Sequence, residues 1–77
     1  MRVHLESTTK VVTIESGSRP VPARVWEGHT ESGIKVTAFI TRIAVDRDHD
    51  TSQFEAELVE CRSPSAHIEA WPNRLVL

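Results

Sequence analysis

The sequence predicts an α+β domain: a mostly antiparallel sheet of about five strands with one helix packed on one face, in the order β-β-β-β-α-β, as a single domain over residues 1–77. Three observations carry that expectation. "RVHLE" alternates Val3 and Leu5 against His4 and Glu6, the period-two signature of a half-buried strand. "IKVTAFITRIAV", residues 34–45, is a long run dominated by β-branched residues, which favour strand over helix. "TSQFEAELVECR" spaces Phe54, Leu58 and Cys61 by four and three residues, the stripe of an amphipathic helix, with Glu55, Glu57 and Glu60 beside or opposite it.

Taken in order, "STT" after the first strand reads as a polar turn, and "KVVTIE" as the second arm of a hairpin with Val12 and Ile14 on one face. "SGSRPVP" interrupts the pattern. Gly17 accepts positive φ, and Pro20 and Pro22 lack the backbone N–H, so a third strand over Ala23–Glu27 is pushed to an edge or a late start. "GHTESG" reads as the next turn, with Gly28 and Gly33 supplying its tight geometry. The 34–45 strand is apolar on both sides in its second half, which places it centrally, with the helix on one face and a second subunit on the other. Ser63-Pro64 ends the helix, because proline disfavours helical geometry in the residue before it. "AHIEAW" resumes alternation as a fifth strand with His67, Glu69 and Trp71 outward, Pro72 stops it, and the apolar tail "NRLVL" docks on the domain or a neighbour.

Composition narrows the function classes. With 39% apolar residues and four aromatic side chains, the core is thin, and self-association is a direct way to bury more apolar surface. Cys61 is the only cysteine, which excludes an intrachain disulfide and suits a reducing compartment. No apolar run reaches the roughly 18 residues that span a bilayer, and "MRVHLESTTK" lacks a signal-peptide stretch, so a soluble, unexported chain without a membrane partner is expected. Net charge is −2, whereas nucleic-acid binders usually carry a basic surplus, so nucleic acid is disfavoured as partner. The charge is segregated: residues 1–45 hold six bases and four acids, residues 46–77 three bases and seven acids. Complementary patches of that kind set orientation and on-rate between partners.

The motifs speak against chemistry. "DRDHDTSQFEAE" puts Asp46, Asp48, Asp50 and Glu57 at positions one, three, five and twelve of a calcium loop, but Thr51 stands where the loop needs glycine, and a helix starting there carries Glu57 away from the aspartates. Asp50 as helix cap, with Gln53 completing a capping box, accounts for the same residues. His4, His29, His49 and His67 show no helical ligand spacing, and Cys61 is a lone thiol. "GHTESGIK" misses a phosphate loop by one position and leads into a strand. Ser16 and Ser32 precede glycine without forming a nucleophile elbow. The expectation is therefore no catalytic, cofactor or metal residue.

The stretches "VPARVWEGHTESGIKVTAFITRIAV" and "QFEAELVECRSPSA" resemble a group of small proteins encoded by actinobacterial phages, over most of the chain. The resemblance implies a phage origin and expression in the host cytoplasm, and it carries no catalytic residue onto this chain. "SGSRP" before Val21 is longer than usual for the group.

Together these readings predict a non-enzymatic phage accessory protein acting by protein–protein interaction, with a host factor as the expected partner class and self-association as a further expectation. Trp26 and Trp71 are candidate contacts because exposed tryptophans are enriched at binding hot spots, although packing against the domain is the better account of Trp26 and an equal one of Trp71. Glu57 and Glu60 represent the acidic helix. The alternatives are a nucleic-acid-associated regulator using Arg24, Lys35 and Arg42 as phosphate contacts on a mildly basic sheet face, or a structural component of an oligomer.

Overall fold

The computed structural model describes residues 1–17 and 19–76 and is an α+β domain built on one open sheet. Its elements are β1 (Val3–Ser16), β2 (Arg19–Thr30), β3 (Lys35–Ile40), α1 (Thr51–Leu58), α2 (Ala66–Glu69) and β4 (Arg74–Val76). The sheet order is β3-β2-β1-β4, antiparallel except for the short parallel pairing of β4 with β1. Among the described residues four strands therefore stand where the sequence predicted five, with two helices instead of one. Ser18 of the "SGSRP" turn and Leu77 of the tail lie outside the described residues.

The expected first hairpin is a single long strand. "STT" does not turn; it bulges, β1 taking four steps from Ser7 to Val11 while β2 takes two from Trp26 to Arg24. Two is an even number, so the inside–outside alternation survives the irregularity. Thr8 makes the bulge tolerable: it is fully buried, and its hydroxyl donates to the Val25 carbonyl at 2.7 Å and accepts from the Lys10 N–H at 3.3 Å.

Pro20 and Pro22 lie inside β2, paired with Glu15 and Thr13, and β2 is an interior strand. The reason is local. β3 pairs only Arg24 to His29, so β2 has no second neighbour at either proline, and no ladder N–H is lost there. Gly28 is also not a turn residue; it sits within β2, where a Cβ would fall 1.7 Å from the His4 carbonyl oxygen. The turn itself runs from Thr30 to Ile34, with Gly33 at φ +90° and its N–H bonded to the Thr30 carbonyl at 2.9 Å.

The run expected to be central is the edge strand. β3 stops at Ile40, and residues 41–45 leave the sheet. Its two-sided apolar pattern has another origin: Phe39 stacks on Trp71 at 5.8 Å on one face, while Ile40 and Ile43 line a groove on the other. α1 ends at Leu58, short of Cys61, because the chain beyond it bonds to β1: Thr9 donates to the Arg62 carbonyl at 2.9 Å and Arg62 to the Ser7 carbonyl at 3.3 Å.

"AHIEAW" is α2 and its exit, not a strand. Six residues of alternation also fit a helical turn in which Ile68 and Trp71 share a side. Ile68 is completely buried with Val12, Ala23 and Val25, and Ile14, Trp71 and Leu75 pack around them. The tail docks on its own domain as β4, Leu75 beside Ile14. Cross-strand pairing places Val12, Ala23, Val25, Glu27 and Phe39 on the α2 face, and Val11, Arg24, Trp26, Ala38 and Ile40 on the opposite face, over which α1 stands. Among the described residues no helix is long and apolar enough to cross a membrane.

A candidate protein-binding groove

The α1 face carries two adjoining recesses that share Trp26. The first, about 290 Å3, is walled by Val11, Trp26, Ile40, Ile43, Phe54 and Leu58, with Arg24 and Arg42 at its margin. The second, about 450 Å3, lies between β1 and the end of α1, and is bordered by Leu5, Ser7, Glu57, Glu60 and Cys61. Half-buried Trp26 thus sits between a recess flanked by Arg24 and Arg42 and one flanked by Glu57, Glu60 and Arg62.

Local sequence explains why the groove stays open. Asp50 caps α1 as expected: its carboxylate accepts from the Ser52 N–H at 2.9 Å and the Ser52 hydroxyl at 2.6 Å. These bonds, the hydroxyl first, hold the Asp50 carboxyl below its ordinary value. Among the described residues no Gln53 side-chain bond closes a capping box; the second bond at the cap is instead from the Ser52 hydroxyl to the same carboxylate. α1 is well started but poorly seated, since none of its residues is buried; Phe54 is half-buried and Leu58 is exposed.

Five of the seven residues singled out from sequence meet on this face: Arg24, Trp26, Arg42, Glu57 and Glu60. Arg24 is partly engaged, its Nη1 donating to the Thr8 carbonyl at 2.8 Å. The other two lie across the sheet. Trp71 follows α2 rather than riding a strand, and packs half-buried on the core between Phe39 and His67. Lys35 pairs with His29 and lines a polar cleft on the α2 face. Arg24, Lys35 and Arg42 therefore do not form one basic surface.

That cleft, about 590 Å3, gathers residues the sequence reading passed over. Glu27, 9% exposed, accepts from the Ser65 N–H at 2.9 Å and the Ser65 hydroxyl at 2.5 Å, and lies 3.3 Å from the Arg62 guanidinium, which also bonds Glu6 at 3.0 Å. The Ser65 hydroxyl, then the Ser65 N–H and Arg62, hold the Glu27 carboxyl below its ordinary value against the opposing effect of burial. His4 and His29 face each other across the ladder with ring centroids 5.5 Å apart.

Ser65, His67 and Glu27 are neighbours. The Ser65 hydroxyl donates to Glu27, and His67 Nδ1 lies 3.2 Å from the same hydroxyl oxygen. The arrangement is a clamp on α2. Lys10 completes it from the other end, its ammonium donating to the Trp71 carbonyl at 3.0 Å and Asn73 Oδ1 at 2.8 Å.

One signal could have found the clamp: Glu27 continues the inward row Ala23, Val25, where a carboxylate is out of place unless paired. Among the described residues no group of three or more His, Cys, Asp or Glu side chains is placed to hold a metal ion. No family model, curated protein or solved structure matches the chain.

Proposed function

We propose that this chain is a non-enzymatic accessory protein that acts by protein–protein interaction, and that the α1 face is its binding surface. The observation that supports this reading is the convergence of Arg24, Arg42, Glu57 and Glu60 around a half-buried tryptophan in an apolar groove. Aromatic residues in pockets and rim charges of both signs are the anatomy of a protein-binding patch. The sequence resemblance to phage proteins supports a role in the host cytoplasm with a host protein as partner.

The test is affinity capture from infected cells with the wild-type chain and with Trp26→Ala as bait, both checked for folding by circular dichroism. A partner whose affinity falls by about 2 kcal/mol or more with Trp26→Ala supports the groove as hot spot. A partner held equally by both baits places the interaction elsewhere, and no partner above background argues against the reading. A role as nucleic-acid regulator has weaker support, since Lys35 lies on the face opposite Arg24 and Arg42. Its measure is a DNA or RNA mobility shift at low salt that fades steeply as salt rises. A structural role in an oligomeric particle predicts the chain in mass spectra of purified virions.

A further inference from the structure

The chain exposes more surface than a compact monomer of its size. Its accessible area is 6137 Å2 for 8.7 kDa, whereas the usual scaling gives about 4700 Å2. Its radius of gyration is 13.8 Å, against about 11.5 Å for a compact chain of this length. The excess area, about 1400 Å2, is larger than the roughly 800 Å2 each partner loses in a standard interface.

The two long edges of the sheet are treated differently. On the outer side of β1 the ladder is broken by the bulge between Ser7 and Val11, and covered by Arg62 and by β4. Those are the usual protections of an edge. β3 has none of them: its register with β2 runs unbroken over Lys35–Ile40, and it contains no proline. Among the described residues its backbone groups bond to nothing but β2. Lys35, at its very start, is the only charge on it.

From this edge and the area excess we infer that a second copy of the chain adds to β3, joining two sheets into one of eight strands. The inference concerns the outer edge of β3, which borders the Trp26 groove and shares Ile40 with it, and it does not rest on the groove binding a partner. Residues directly opposite in an antiparallel ladder point to the same face, so the two-fold axis passes through a residue, not between two. With Ala38 on the axis, Val36 lies opposite Ile40 and Thr37 opposite Phe39, which makes an all-apolar row on the α1 face. With Thr37 on the axis, Lys35 is forced opposite Phe39. The chemistry selects Ala38. An axis perpendicular to the sheet keeps faces together, so both Trp26 grooves open on the same side of the dimer.

The experiment is sedimentation of the full chain, wild type and with Ala38→Lys or Ala38→Glu, each variant checked for folding by circular dichroism. The wild type is expected at twice the 8.7 kDa chain mass, each variant alone as a monomer, and an equimolar mixture of the two as a dimer again. Opposed like charges explain the first loss, and only a two-fold through residue 38 explains the rescue. A wild type that stays monomeric at its highest soluble concentration overturns the inference, as does Ala38→Lys with an intact dimer. Should the variants fail to fold, hydrogen exchange of the wild type decides: β3 amides protected more strongly at high than at low concentration support it, and concentration-independent exchange overturns it.

Discussion

On one side of this sheet a four-residue helix buries Ile68 completely and is gripped by Glu27 and Lys10; on the other, an eight-residue helix buries no residue at all. Length would suggest the opposite, since the longer helix is better capped and carries the clearer apolar stripe. What separates them is tertiary. α2 lies where β2 and β1 present Val12, Ala23 and Val25, and a buried carboxylate ties down Ser65, the residue that precedes it. α1 rests on Trp26, Ile40 and Val11 without closing over them. One face is sealed and the other left open.

Substitutions can break or sharpen that contrast. The largest effect is expected for Ile68→Ala, which empties the centre of the sealed face and should cost about 2–5 kcal/mol in chemical denaturation. A loss as small as that of a surface substitution would mean that α2 is not the anchor. Next is Glu27→Gln, which removes the charge accepted from Ser65 and Arg62 and should cost about 1–3 kcal/mol near neutral pH.

The pH dependence follows from the direction of the Glu27 shift. Its folded carboxyl titrates below the ordinary 4.5, so its stabilisation is complete above that value and is lost as pH falls through the lower folded one. Wild type and Glu27→Gln should therefore converge in stability in acid, and a constant gap down to the lowest pH would refute the clamp. Phe54→Ala on the open face should cost only about 1 kcal/mol, because the ring is half-buried and its loss widens a groove that is already there. The smallest effect is expected for Asp50→Ala: a modest loss of helical ellipticity from fraying at Ser52, with the thermal midpoint nearly unchanged.

Much of the local structure was legible in the residues. β-branched runs, the Asp50 cap and the Thr30–Ile34 turn each follow from short-range sterics and hydrogen bonding, whereas α1 ends at Leu58, well before the break expected at Pro64, because the chain beyond it bonds to β1. The candidate residues were legible as types, and five of them share a face because period-two alternation places Arg24 and Trp26 on one side of β2 and α1 lies over that side. Glu27 and Ser65 were harder to see, since they are 38 residues apart and only folding brings the serine to the carboxylate.

The sequence by itself determined the class of fold, the start of α1 and the alternation of the strands, because these depend on neighbours within a few residues. Tertiary structure decided that "STT" bulges instead of turning, that residues 35–40 form an edge, and that "AHIEAW" coils. In each case a short segment had two locally acceptable conformations. For "STT" and "AHIEAW" the choice went to the conformation that buried Thr8 against the Val25 carbonyl, or Ile68 against Val12, Ala23 and Val25.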